Sequence, residues 1–124
     1  MATLVAPKIK PGTTPTLTVI VEGEAIQDAT VYVTIDMRDR HLIKTNHHNN
    51  SDMTLEPVYD PDEQSTQTGT LITLKYSQSD TLYLRPGYAS VEVGWIFSDG
   101  FADKSELARI KIPRTLFKGV MVYG

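Results

Sequence analysis

From Tyr88 to Ser98 the chain alternates between an apolar and a mixed, largely polar set of positions without a break. Ala89, Val91, Val93, Trp95 and Phe97 share one face; Tyr88, Ser90, Glu92, Gly94, Ile96 and Ser98 share the other. Strand side chains point to opposite faces with period two, so a regular stretch of this length reads as a half-buried β-strand. A helix would place its apolar residues every three to four positions. Trp95, the only tryptophan, sits mid-stretch on the apolar face and is expected at the centre of the core. Upstream lies another strand, Thr70 to Lys75, then the polar break Ser77-Gln78-Ser79-Asp80, read as a short turn of helix. Thr81 to Leu84 and the turn Arg85-Pro86-Gly87 follow, so Gly69 to Ser98 forms the unit around which the rest is arranged.

Taken in order, Met1 to Gly12 contains Pro7 and Pro11 and reads as an N-terminal arm. Thr13 to Glu22 is the first predicted strand, with Leu17, Val19 and Val21 on one face and Pro15 at its start or on an edge. Gly23 to Asp28 is a polar connection, and Thr30 to Met37 a second strand that turns Val31, Val33, Ile35 and Met37 one way. His41 to Thr45 is expected to pair with it as a hairpin across Arg38-Asp39-Arg40. Residues 46–68 form the longest weakly structured segment, a loop or insertion suited to binding or mobility, with a candidate strand at Met53 to Tyr59. Asp99-Gly100 between two periodic runs signals a hairpin, because both residues tolerate positive φ. The last strand is read as Lys104 to Ile112, with Ala108, Ile110 and Ile112 inward and Leu107 at a bulge; Pro113 ends it. Arg114 to Gly124 is strongly apolar, with Leu116, Phe117, Val120, Met121, Val122 and Tyr123, and reads as a short helix or a docking arm. About seven short strands with turn signals between them predict an all-β, antiparallel sandwich or barrel over 13–113, flanked by an arm at 1–12 and an apolar segment at 114–124.

At 124 residues the chain suits one domain and can bury roughly two thirds of its unfolded surface without a disulfide or metal. It has no cysteine, which excludes a disulfide scaffold, thiolate metal sites and thiol catalysis. A net charge of −3 with no basic face speaks against a nucleic-acid partner. The longest apolar runs, such as Leu17 to Val21, are too short to span a membrane, and the N-terminal stretch has no apolar region of a secretory signal.

Candidate chemistry is sparse. His47 and His48 are adjacent in a loop near Asp52, but neighbouring histidines without a fixed third ligand read as solvated loop rather than metal site, and His41 stands apart. Glu56, Asp60, Asp62 and Glu63 include an Asp-x-Asp pair, yet Pro61 and the lack of glycine depart from a calcium loop. Asn49-Asn50-Ser51 matches a glycosylation sequon, which matters only in a secretory context. Nucleophile-elbow, P-loop, dinucleotide and zincin signatures are all missing, so no catalytic, cofactor-binding or metal residues are assigned and the chain is expected not to be an enzyme. The six tyrosines are read first as half-buried caps on a sandwich core, and otherwise as platforms for sugars or interfaces.

Several segments together resemble a known group. Ile9-Lys10-Pro11-Gly12-Thr13-Thr14-Pro15-Thr16-Leu17 resembles an I-x-x-G-D/T-T-P-x-L opening, and Ala29 to Ile35 resembles an A-T-x-V-Y-V-T-I strand. Leu74-x-x-Ser77-Gln78-x-Asp80-Thr81-Leu82 resembles L-S-Q-E-D-T-L. Pro86-Gly87-x-Ala89-x-Val91-Glu92-Val93 follows the pattern x-G-x-v-x-V-Q-V, and Ile112-x-x-Thr115-Leu116 an f-x-x-L-L ending. This order is similar to small structural proteins of tailed phages and prophages of Gram-positive gut bacteria, related in pattern to the N-terminal domain of baseplate upper proteins. None of the matching segments is a catalytic motif, and residues 46–68 depart from the shorter pattern. The resemblance implies an immunoglobulin-like β-sandwich with extended terminal arms, acting as a virion structural subunit of tail, baseplate or neck. It implies assembly with itself or with other phage structural proteins, through edges and termini, with no membrane or nucleic-acid partner and no cofactor. The interface residues expected are Ile9 in the arm and Leu116, Phe117, Met121 and Tyr123 in the C-terminal segment. The alternative reading is an accessory module that binds carbohydrate on a cell surface through the 46–68 loop and nearby tyrosines.

Overall fold

Trp95 lies in a ten-residue strand, Gly87–Ile96, whose inward side chains Ala89, Val91, Val93 and Trp95 are all buried, as the alternation requires. The computed structural model describes residues 2–5, 8–37, 40–47 and 52–124. The hairpin turn at Arg38 and Asp39, His48 and the sequon Asn49-Asn50-Ser51 lie outside the described residues. In chain order the strands are β1 (Ala2–Val5), β2 (Thr16–Glu22), β3 (Thr30–Met37), β4 (Arg40–Thr45), β5 (Met53–Tyr59) and β6 (Gln67–Lys75). The one-turn helix α1 (Gln78–Thr81) leads into β7 (Gly87–Ile96), β8 (Ala102–Lys104) and β9 (Ala108–Ile112).

The strands form two antiparallel sheets, one in the order β1-β2-β6-β5 and one in the order β4-β3-β7, with β8 and β9 both on the free side of β7. Leu17, Val19 and Val21 of β2 and Ile72 and Leu74 of β6 meet Val31, Val33 and Ile35 of β3, the inner row of β7, and Ile110 and Ile112 of β9 in one core cluster. Burying each such side chain is worth about 1.5–3 kcal/mol relative to exposure. The architecture is thus an all-β, sandwich-like fold, and the described residues form nine strands rather than about seven.

Both extra strands come from hydrogen bonding that periodicity does not report. Within the N-terminal arm, Ala2–Val5 pairs along β2 as an edge strand, and Lys8 bridges in parallel to Lys111 of the other sheet. The predicted last strand is split, because β8 pairs with Gly94–Ile96 and β9 with Gly87–Val91. Between them Ser105 donates its N–H to the Val93 carbonyl at 2.8 Å and accepts the Val93 N–H on its hydroxyl at 3.0 Å. Glu106 and Leu107 are thereby thrown outward, which places the bulge where Leu107 suggested it. The candidate strand at Met53 to Tyr59 forms as β5 and pairs along β6, with Pro57 tolerated because β5 is an edge strand.

Short polar clamps hold the connections. Thr70, fully buried, accepts the Ile26 N–H at 3.0 Å and donates to the Glu24 carbonyl at 2.8 Å, pinning the β2–β3 connection to β6. Thr81 exchanges the same pair of bonds with the backbone of Thr13. Ser77 and Asp80 form a capping box that starts α1 at the polar break. At the β7–β8 turn Phe97 bonds Phe101, and Gly100 takes φ of 91°, a left-handed conformation that suits glycine.

Candidate functional site

Pro113 lacks an N–H and ends β9, so the chain leaves the sheet there and takes no regular structure through residue 124. Its apolar side chains do not turn back into the core. Leu116, Phe117, Val120, Met121, Val122 and Tyr123 are all exposed, Leu116 at 86% and Val122 at 88%. The segment is held mainly through its backbone. Gln78 of α1 donates Nε2–H to the Met121 carbonyl at 3.0 Å and accepts the Met121 N–H on Oε1 at 2.7 Å. Lys118 Nζ donates to the Thr115 carbonyl at 2.7 Å. The segment passes close to Gly12, where an added Cβ would stand 3.6 Å from the Gly119 carbonyl.

Four of the five residues expected at an interface, Leu116, Phe117, Met121 and Tyr123, therefore lie together in one exposed stretch. Ile9 does not. Its side chain is fully buried and its N–H donates to the Lys111 carbonyl at 3.0 Å, so its place is the seam between the sheets. The tyrosines also differ from expectation. Only Tyr76 is buried, while Tyr32, Tyr59, Tyr83, Tyr88 and Tyr123 are exposed and cap no core. Guanidinium groups stack on two of them, Arg40 at 5.1 Å from the Tyr83 ring centroid and Arg109 at 4.3 Å from that of Tyr88.

A second surface was not anticipated. On the outer face of the five-stranded sheet, Tyr32 and Thr34 of β3, Ile43 of β4, Glu92 and Ile96 of β7 and Lys104 of β8 wall a groove of about 660 Å³. Gly94 leaves its floor bare; it pairs with Tyr32 on one side and Lys104 on the other. Lys104 Nζ lies 3.7 Å from Glu92 Oε1. The alternation assigns Glu92, Gly94 and Ile96 to one face, and Ile96 is the signal: an apolar side chain in a largely polar row. Their convergence depends on cross-strand register, which one strand's pattern does not carry.

At the α1 end, Lys44 bridges Asp80 at 2.8 Å and Asp52 at 3.3 Å. Burial by itself lowers the Lys44 pKa, but hydrogen bonds to Asp80 and Asp52 outweigh it and hold the ammonium above the ordinary lysine range. Burial likewise raises Asp80, yet the Lys44 bond and the Ser77 backbone and hydroxyl bonds leave its carboxyl below the usual range. This cluster is closed on itself as ion pairs. Among the described residues no group of three or more histidine, aspartate or glutamate side chains is gathered to hold a metal ion, and no helix is long and apolar enough to cross a membrane. Asp60 Oδ1 accepts the Asp62 N–H at 2.8 Å, a local turn within the acidic stretch. No protein-family model matches the chain, and no curated protein matches it.

Proposed function

We propose that this chain is a non-enzymatic structural subunit of a tailed-phage virion, associated with tail, baseplate or neck, that assembles through its C-terminal segment and sheet edges. The observation that carries the assembly reading is the exposed run from Leu116 to Tyr123, six large apolar side chains that the core does not use. Contiguous exposed apolar surface of this kind marks an interaction site. The phage assignment rests on the sequence resemblance at Ile9–Leu17, Ala29–Ile35, Leu74–Leu82, Pro86–Val93 and Ile112–Leu116.

The strand orders support an immunoglobulin-like reading. The order β1-β2-β6-β5 corresponds to strands A, B, E and D of that fold, and β4-β3-β7-β9 to an added fourth strand with C, F and G. Two features of antibody domains are missing: the chain has no cysteine for an inter-sheet disulfide, and its tryptophan sits on β7 rather than β3. The carbohydrate-binding alternative has less support. Asn46 is tied by its side chain to Val31 and Ala29, and Met53–Tyr59 is paired in the sheet.

Size exclusion with light scattering, at several concentrations, tests the proposal on the full chain and on a chain lacking residues 114–124. A defined oligomer that dissociates on removal of the segment is expected. A full chain that stays monomeric at every concentration would remove self-assembly from this reading.

A further inference from the structure

We infer that the groove on the outer face of the five-stranded sheet receives the C-terminal segment of a second copy of this chain, so that subunits join arm to groove. The inference rests on the assembly reading above and names the surface that completes it. Tyr32, Ile43 and Ile96 are exposed in the groove, and Phe117, Met121 and Tyr123 are exposed on the segment, leaving two apolar surfaces of one chain uncovered. A volume of about 660 Å³ lies in the range of pockets that bury a ligand the size of a few large side chains.

Charge points the same way. Residues 113–124 carry Arg114 and Lys118 and no acidic side chain, while the groove carries Glu92 beside Lys104, and Asp103 reaches it only through its backbone carbonyl near Gly94. Asp36, on the same outer face, lines the depression that adjoins the groove at Thr34 and Glu92. Across the groove and that depression the carboxylates of Glu92 and Asp36, the latter 2.8 Å from His41, outnumber the one ammonium of Lys104, so a basic segment meets a surface that favours its encounter and orientation.

The two surfaces lie toward opposite ends of β7, which makes the contact intermolecular. The segment leaves β9 at Ile112, opposite Gly87, and is pinned through Met121 to Gln78. The groove floor at Gly94 lies further along the same strand by about 23 Å, at about 3.3 Å per residue. The arm of one copy therefore reaches the groove of the next, a head-to-tail contact that generates a ring if the rotation closes and an open row if it does not. Phe117, Met121 and Tyr123 are the anchors, since large flexible and aromatic side chains dominate such contacts.

Sedimentation velocity on the full-length chain tests this with three variants. Ile43→Lys places a repelling charge in the groove, and Gly94→Trp fills its floor, where an added Cβ meets nothing closer than Lys104 Cγ at 3.7 Å. Phe117→Asp disables the arm. Trp95 fluorescence in Ile43→Lys and Phe117→Asp, and thermal unfolding in all three, show that each variant is folded before assembly is scored. Each variant alone is expected to weaken assembly by at least about tenfold. An equimolar mixture of Ile43→Lys and Phe117→Asp, which retains one working arm and one working groove, is expected to form dimers and nothing larger. Groove variants that assemble like the parent would overturn the groove as receptor while leaving arm-driven assembly standing. A mixture that stays monomeric, or groove variants that lose only binding to a glycan array, would also overturn it. A parent chain that is monomeric throughout would overturn the arm-to-groove contact and remove self-assembly from the reading above.

Discussion

Lys44, Asp52, Asp80 and Tyr76 come from separate parts of the chain, yet they meet at the α1 end, with the Lys44 ammonium 5.5 Å from the Tyr76 ring centroid. The Tyr76 phenol is pushed well above the ordinary tyrosine range, first by burial and then by the Asp80 charge, and its hydroxyl is buried with no protein group to bond. Tyr76 and Lys44 both have folded-state values raised above their unfolded ones. Their contributions are complete below the unfolded values of 10.0 and 10.5 and are lost as pH rises beyond them. Asp80 is depressed, so its contribution is present above the unfolded value of 3.8 and is lost as pH falls through the folded one. Tyr76→Phe removes the group that must stay protonated, so the fall in stability above pH 10 becomes shallower in the variant. Near neutral pH the change stays within about 1 kcal/mol, because the hydroxyl forfeits no hydrogen bond. Guanidinium unfolding followed through Trp95 at pH 7 and at about pH 11 measures both effects; an equally steep alkaline loss would show that Tyr76 is not its source. None of this convergence was legible in the sequence. Alternation marks which side chains face inward, whereas this cluster depends on how Lys44 of β4 and Asp52, just before β5, stand against Asp80 of α1.

At the scale of elements, Gly69 of β6 and Gly94 of β7 should respond in opposite ways. A Cβ at Gly69 would lie 2.7 Å from the Val21 carbonyl oxygen and 3.3 Å from Glu22 Cα, backbone that can yield only by parting β2 from β6. A Cβ at Gly94 would meet only Lys104 Cγ at 3.7 Å and the Asp103 carbonyl at 3.9 Å, ordinary contact distances. Gly69→Ala is expected to destabilise by about 1–3 kcal/mol, as overpacking does. Gly94→Ala is expected to be neutral or stabilising by up to about 1 kcal/mol, through a less flexible unfolded chain. Denaturant midpoints of the two variants rank them, and equal losses would contradict the register of the sheets. The strands β2, β3, β6 and β7 were readable because each keeps one apolar face against the core over its whole length. The strand β1 was not, since four residues make too short a period and the prolines around it read as arm. The division of β8 from β9 was hidden as well, because it is made by Ser105 bonding Val93 and not by any break in hydropathy.

For the whole molecule, the apolar character of the C-terminal segment was legible in the sequence, and Leu116, Phe117, Met121 and Tyr123 are all exposed in it. The groove was not legible, because it is assembled from four neighbouring strands and a glycine. The assembly reading predicts that folding and association are linked. Copies bind the folded state and not the unfolded one, so association adds stability as RT ln(1 + [L]/Kd), with [L] the concentration of partner copies. Once the protein is well above Kd, each tenfold rise in concentration adds about 1.4 kcal/mol, which for a chain of this size raises Tm by roughly 4–8 °C. Differential scanning calorimetry over a hundredfold range of concentration is expected to show this climb for the full chain. The chain lacking residues 114–124 is expected to melt at one temperature throughout, since the removed residues leave the core cluster untouched. A climb that persists after truncation would move the association to the sheet edges, where β4 and β5 offer unpaired backbone. A flat Tm in both chains would mean that the segment binds no copy of itself, and would leave a different protein as the partner that covers it.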